Sequence, residues 1–244
     1  VIVSVVIPTL DEAERIALTV AAAVAPGVEV LVVDGGSADG TVAAAERAGA
    51  RVLTAPRGRG AQLAAGAAAA RGEILLFVHA DTRLPAGFAA AARATLSGPR
   101  IALGAFRLGI DAPGLRFRCV ELLVRLRCAL FGMPYGDQAL FVRRELYGEL
   151  GGFANLPAME DFDFVLRARR RGRVAMAPLA VRTSARAWRR HGVLRLSTVN
   201  LLCAIACRCG VPAARVAGWR QRWGLAGGGK AATVTSDSTS SRTA

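Results

Sequence analysis

The chain has 244 residues, 53% hydrophobic and 20% charged, a balance that excludes a disordered regulator, a fibrous repeat and a disulfide-stapled miniprotein. Its formal charge of +14 comes from 32 basic against 18 acidic residues. Fourteen arginines lie between positions 167 and 222, inside a stretch (164–236) without Asp or Glu, so the C-terminal third presents a basic surface to nucleic acid, anionic lipid, a phosphorylated substrate or plain water.

Residues 1–7 form a branched apolar run stopped by Pro8, the pattern of a buried parallel strand. Helical periodicity follows over 11–25. Residues 28–33 read as a second buried strand, stopped by Asp34-Gly35-Gly36-Ser37, with Ser37 or Asp39 placed to cap a helix over 41–48. A short strand over 51–53, an alanine-rich helix over 60–70, a strand over 74–78 and a helix over 85–96 complete four strand–helix units. Such alternation predicts an α/β fold with a mostly parallel central sheet flanked by helices. The pattern then loosens: a strand over 102–110, an arginine-studded amphipathic helix over 115–131, a strand over 138–142 and a helix over 159–170. Short strands over 174–177 and 181–184 and an apolar helix over 193–209 follow. Residues 227–244 are Gly-, Ser- and Thr-rich and predict disorder.

Five cysteines (Cys119, Cys128, Cys203, Cys207, Cys209) sit in apolar or helical contexts without zinc or iron–sulfur spacing, which predicts free thiols in a reducing compartment. No window holds 18 uninterrupted apolar residues, so no spanning helix is expected. The chain opens on a strand without a basic-then-apolar leader or an initiator Met, which implies a trimmed start. The expected location is the cytoplasm, with contact to the inner face of the membrane through the two amphipathic helices. Core packing or a homodimer is the plainer account of the same helices.

In open α/β sheets ligands bind at the carboxyl ends of the strands. Those ends carry Pro8-Thr9-Leu10-Asp11-Glu12, Asp34-Gly35-Gly36-Ser37-Ala38-Asp39-Gly40 and His79-Ala80-Asp81-Thr82. Three acidic exits at one rim repel each other unless they meet a cation, a ribose or a base edge; singly, each Asp is also an ordinary turn former. A nucleoside-diphosphate donor accounts for the set. Asp34 would accept from base or ribose, and Asp81 would ligate a divalent metal that neutralises the diphosphate. No G-x-G-x-x-G follows the first strand and no P-loop occurs. Arg57-Gly58-Arg59-Gly60 is a basic turn before a helix, suited to phosphate through Arg59 or helix-terminal amides, or to a plain loop.

Val3-Ser4-Val5-Val6-Ile7-Pro8-Thr9-Leu10-Asp11-Glu12 and Val32-Val33-Asp34-Gly35-Gly36-Ser37-Ala38-Asp39-Gly40-Thr41 resemble the opening of the family 2 glycosyltransferases. Leu76-Phe77-Val78-His79-Ala80-Asp81 stands where that family carries its acidic metal motif, with His79 in place of the first acid. The resemblance implies a GT-A fold, a nucleoside-diphosphate sugar as donor substrate and Mg²⁺ or Mn²⁺ as cofactor. It implies Pro8, Thr9, Glu12 and Asp34 beside the nucleoside, Asp81 on the metal, and His191 as a late metal or diphosphate contact. Asp161 matches the base of the family's Glu-Asp motif, with Glu160 as alternate, and transfer with inversion follows from that match. From the residues alone, Glu160, Asp161 and Asp163 equally favour a helix N-terminus. Asp137 and Gln138 are implied in the sugar or acceptor pocket, and Arg107, Arg189 and Arg190 are weaker candidates.

The His-Ala-Asp variant, Gly136-Asp137-Gln138 and the stretch 183–192 are similar to a compact bacterial subgroup labelled arsenosugar-biosynthesis-associated glycosyltransferases. The implied organisation is one catalytic domain over 1–222 and a disordered tail over 223–244. Residues 1–100 would bind the donor nucleotide and 101–222 the acceptor, a small molecule or a lipid-linked one. Two rivals have sequence support. A nucleotidyltransferase would need a glycine-rich basic loop after the first strand, where the acidic Thr9-Leu10-Asp11-Glu12 stands instead. A nucleic-acid-binding protein would rest on the arginine-rich third with Trp188, Trp219 and Trp223; nucleic acid is the disfavoured partner.

Overall fold

In the computed structural model, residues 1–225 are described. Of the tail expected over 223–244, residues 226–244 lie outside the described residues, whereas Leu225 is buried in a small cluster with Val216 and Trp223.

Strand β1 (Val3–Thr9) is buried along its whole length. It pairs in parallel with β2 (Val28–Asp34), which pairs in parallel with β3 (Arg51–Thr54). On its other side β1 pairs in parallel with β4 (Ile74–Phe77). Alternate residues serve opposite faces, as the two-residue period of a strand requires. Val3, Val5 and Ile7 pack on helices α1 (Ile16–Ala23), α2 (Thr41–Arg47) and α4 (Phe88–Leu96), through Ile16, Val20, Ala45 and Phe88. Val6 faces α3 (Arg59–Ala69) and α7 (Glu160–Arg169), through Leu63, Phe162 and Val165. Gly66 lets α3 lie this close: a Cβ there would stand 2.3 Å from Val6 Cγ1 and 2.8 Å from Val33 Cγ2.

Past β4 the sheet gains β7 (Phe141–Arg143), antiparallel to both β4 and β6 (Ile101–Asp111). Strand β8 (Arg173–Ser184) runs parallel to β6, and β5 (Thr82–Arg83) pairs antiparallel at the edge. The order is β3-β2-β1-β4-β7-β6-β8-β5. All strands but β5 and β7 share one direction, so the expected mostly parallel α/β sheet is observed. The chain steps outward from β1 to β3 and then returns to the other side of β1 at β4. That reversal opens a crevice at the carboxyl ends of β1 and β4.

Several boundaries differ from expectation for identifiable reasons. Pro8 lies inside β1 and does not end it. The Thr9 carbonyl accepts from Gly35 N toward β2, and the Val6 carbonyl accepts from Val78 N toward β4. Pro8 therefore points to the β4 side just beyond the last pair, Val6 with Phe77, where no ladder donor is needed. Helix α1 begins at Ile16 and not at 11, because the exits of β1 and β2 clasp each other. Asp11 N donates to Ser37 Oγ (2.9 Å), Glu12 N to Thr41 Oγ1 (2.8 Å) and Ala38 N to Asp11 Oδ1 (2.9 Å). The strand expected over 138–142 opens instead as a 3₁₀ turn (Gly136–Gln138). The two short strands after it are one, β8, whose register shift opposite Ala105 and Arg107 absorbs Pro178.

Helices α5 (Leu115–Phe131) and α9 (Val193–Arg208) stand close to expectation. Strand β5 and helices α6 (Arg144–Glu149), α8 (Arg186–His191) and α10 (Ala213–Arg222) were not foreseen. Among the described residues no helix is long and apolar enough to cross a membrane, and the five cysteines are free.

Candidate active site

A cleft of about 780 Å³ opens at the crevice between β1 and β4. Its walls come from the end of β1, the start of α3, the exit of β4, the 3₁₀ turn, the start of α7 and helices α8 to α10. Pro8, Thr9, Glu12, Arg59, His79, Asp81, Asp137, Glu160 and Asp161 all line it, drawn together from five separate stretches of chain.

On the β1 side, Gln62 fixes the rim by donating Nε2 to the carbonyls of Thr9 and Val33, both at 2.8 Å. The Thr9 hydroxyl oxygen is buried without a hydrogen-bond partner, an arrangement that costs free energy unless a ligand completes it. Asp34 stands at the same rim but does not line the cleft. Its carboxylate is turned back on its own loop, accepting from Gly36 N and Ser37 N at 2.9 Å and from the Ser37 hydroxyl. Asp34, expected beside the nucleoside, thus stands at the rim in register with Thr9 with its carboxylate on its own turn, whereas Asp81 lines the cleft.

Asp81 is half-buried, and burial raises its pKa, against the pull of a nearby cation, Arg186. Arg186 reaches in from α8 to form a two-pronged pair with Glu12 and a longer contact, 3.4 Å, with Asp81. Sequence reasoning missed this residue. It lies 174 positions from Glu12 in an arginine-rich stretch that gives no reason to single it out. Arg220 and Asn200, paired at 2.7 Å on the same wall, were missed for the same reason.

The far side of the cleft is a dense charge cluster. Arg59 pairs with Glu160, a carboxylate only 2% exposed. Burial works against the Arg59 charge, but Glu160, Asp161 and Asp137 outweigh it and raise its pKa. Asp161 accepts from Gly136 N at 2.7 Å and from Phe162 N at 2.8 Å. Burial opposes its charge, yet Arg59 and these amides prevail and hold its pKa below the ordinary value. Burial, reinforced by Arg59, pushes His79 down to about 4, so its imidazole is neutral at neutral pH. A Cβ on Gly136 would stand 2.9 Å from His79 Nε2 and 3.0 Å from Asp161 Oδ2, so a side chain there would push on this pair, and glycine lets the turn lie close over it.

Asp137 is the outlier. Burial pushes its pKa up to about 6, with Asp161 adding to the rise, and its Oδ1 is buried without a partner. Gln138 was expected in the pocket but sits behind it. It accepts from Arg127 Nη2 at 2.9 Å and donates to the Phe106 carbonyl at 3.1 Å, while Arg127 stacks 3.5 Å over the Tyr135 ring. Gln138 and Arg127 thus brace the turn that carries Asp137. His191, Arg107, Arg189 and Arg190 do not line the cleft, and the three arginines are exposed.

Asp137 gives the stability of the fold a pH signature. The folded chain holds its proton up to about pH 6, whereas a free Asp releases it near 3.8. This group therefore favours the folded state at low pH, and stability falls as pH rises through that window. Asp137→Asn is expected to raise the melting temperature relative to the parent above about pH 6, with the gain shrinking toward pH 4. Thermal melts across that range check it, and a gain independent of pH would contradict it.

Among the described residues no three His, Cys, Asp or Glu side chains are grouped so as to hold one ion, so the cleft contains no all-protein metal cage. Asp81 offers a single hard oxygen ligand. Such a site fits a divalent cation that takes its remaining ligands from donor phosphates and water, as Mg²⁺ characteristically does.

The model of a family described as glycosyl transferase family 2 matches residues 4–126. No curated protein matches the chain. Among solved structures, the mannosyltransferase PcManGT from Pyrobaculum calidifontis, in complex with GDP-Man and Mn²⁺, is 25% identical with a TM-score of 0.62. The match covers 79% of this chain but only 61% of that one. Glucosyl-3-phosphoglycerate synthase from Mycobacterium tuberculosis is 23% identical with a TM-score of 0.61, covering 86% of this chain and 81% of that one. TarS from S. aureus is 18% identical with a TM-score of 0.58, covering 75% and 58%. These last two likenesses are of fold.

Proposed function

The chain belongs to glycosyl transferase family 2, and from that premise we propose that it moves a sugar from a nucleoside-diphosphate sugar to an acceptor hydroxyl with inversion. The observation that carries this reading is the cleft itself. Asp81 and the unpartnered Thr9 hydroxyl face one wall, Asp137 and Asp161 the other, and the space between is about 780 Å³. That volume suits a small-molecule ligand of this size class.

In this reading Thr9 and Glu12 sit beside the nucleoside and Asp34 holds the loop that shapes its seat. Asp161, kept ionised by Arg59, takes the proton of the acceptor hydroxyl. The acceptor oxygen forms its bond to the anomeric carbon as the bond from that carbon to the β-phosphate oxygen breaks, and the nucleoside diphosphate departs with the electron pair. Arg186, beside Asp81, stands where it can offset the charge of that leaving group. A divalent ion held by Asp81 would supply further neutralisation of the diphosphate. Neutral His79 and the pair Arg59–Glu160 position the acceptor wall. Residues 1–100 form the donor half and 101–222 the acceptor half of one domain. Placement in the arsenosugar-associated subgroup, a cytoplasmic location and a small-molecule or lipid-linked acceptor belong to the same proposal.

The test is a donor panel. Release of nucleoside diphosphate is measured with UDP-, GDP- and dTDP-sugars, first with Mn²⁺ and then with EDTA. GDP-mannose belongs in it because PcManGT binds that donor. One donor is expected to be turned over in a metal-dependent way. Pyrophosphate release from a nucleoside triphosphate and a sugar phosphate would instead mark a nucleotidyltransferase.

A further inference from the structure

Helix α5 is apolar on two opposite faces. Its inner face buries Phe117, Val120 and Cys128 against the domain. Its outer face leaves Leu115, Leu122, Leu123, Leu126 and Leu130 in solvent, with Leu115 78% and Leu130 73% exposed. At 3.6 residues per turn these five leucines fall within an arc of about 100°. Arg125 borders one edge of the arc and Arg116 the other; Arg118 and Arg127 beside them are turned inward, Arg118 onto Glu121 and the carbonyls of Ile110 and Ala112, Arg127 onto the Met133 carbonyl and Gln138. The helix's one carboxylate, Glu121, is turned inward, accepting from Ile110 N and pairing with Arg118.

Helix α9 repeats the plan. It buries Leu196, Val199, Cys203 and Ala204 and exposes Leu194, Leu201, Leu202 and Ile205, with Leu194 83% exposed. Arg208 and Arg195 border its apolar arc, and the helix has no carboxylate. The two helices pack on each other. A patch this rich in exposed leucine marks an interaction site on an otherwise polar surface.

We propose that the outer faces of α5 and α9 dock on the headgroup–acyl boundary of an anionic bilayer. Leucines flanked on both sides by arginine match that boundary. The apolar side chains enter the acyl region, while the arginine stems lie along it and their guanidinium groups reach lipid phosphates. The same charge pattern argues against a second copy of this chain as the occupant. A two-fold contact sets the same patch against itself, which places arginine rims face to face with no carboxylate on the patch to pair them. Helix α9 also connects the face to the cleft, because Leu196 and Asn200 on its inner side line that cleft. An acceptor with a lipid tail held in the bilayer would be separated from the cleft by the thickness of α9. That last step rests on the transferase reading; the docking does not.

Flotation of the full chain with vesicles reads the docking without any turnover. The chain is expected to float with phosphatidylcholine vesicles containing phosphatidylglycerol and to do so much less with phosphatidylcholine alone. Leu130→Glu and Leu194→Glu are each expected to weaken binding to the mixed vesicles by roughly tenfold or more, with unchanged melting temperature and unchanged donor turnover. Failure to float with the anionic vesicles at low salt overturns the proposal. So does equal binding by the parent and both variants. A dimer in solution that the two variants convert to monomers, without vesicle binding by the parent, would assign the face to a second copy instead.

Discussion

Asp161→Asn is expected to lower the turnover of sugar transfer by about 10²- to 10⁴-fold, the range set by loss of a general base, with donor affinity nearly unchanged. The expectation follows from how the carboxylate is held. Arg59 and the amides of Gly136 and Phe162 keep Asp161 ionised despite burial, so it enters the reaction with its lone pairs available. Asparagine keeps the shape and accepts from one amide, but it has no basic oxygen and turns an N–H toward the other amide. A modest drop in melting temperature is therefore expected alongside the kinetic loss. Glu160→Gln separates the two effects. It weakens the pair with Arg59 and leaves the base in place, so its cost should fall on stability and on acceptor KM more than on kcat. The rival within the cleft is Asp137, whose pKa of about 6 and unpartnered oxygen also suit a proton acceptor. If Asp161→Asn turns over normally while Asp137→Asn does not, the base is Asp137.

Much of the scaffold of this site was legible in the sequence because it is built from local signals. Buried branched runs ending in acidic or glycine-rich exits give β1, β2 and β4, and the position of those exits gives the rim of the cleft. The orientation of side chains at the rim was not legible. Whether Asp34 faces a ligand or its own loop depends on Gly36 and Ser37 turning their amides back on it, and Asp-Gly-Gly-Ser as a string permits both. Gln138 reads as a pocket residue beside Asp137, yet in a 3₁₀ turn adjacent side chains diverge, and this one points to Arg127 and Phe106. Arg186 was invisible because an ion pair spanning 174 residues leaves no local pattern. The outer stripes of α5 and α9 were legible as amphipathic. Only the fold shows that the leucines face outward, because each helix carries apolar residues on both sides.

Asp81→Asn is expected to abolish the stimulation of donor turnover by Mn²⁺ and to lower kcat/KM by roughly 10²- to 10³-fold, the scale of several kcal/mol of charge stabilisation lost with a metal ligand. The substitution keeps the size of the side chain and removes its charge, leaving one hard neutral oxygen where the carboxylate stood and Glu12, held by Arg186, as the remaining carboxylate on that wall. It also loosens Arg186, which Asp81 shares with Glu12. A lowered Arg186 contribution would appear even without metal, so titrating donor binding with Mn²⁺ and again with EDTA distinguishes the two losses. A purely metal-linked defect vanishes in EDTA, where parent and variant bind alike. A defect routed through Arg186 persists there. Asp34→Asn is the contrasting case. Its carboxylate is satisfied by its own turn, so the substitution should lower the melting temperature and leave the response to Mn²⁺ intact. Were Asp34→Asn to remove the metal response and Asp81→Asn to keep it, the donor wall of the cleft would have to be redrawn around β2.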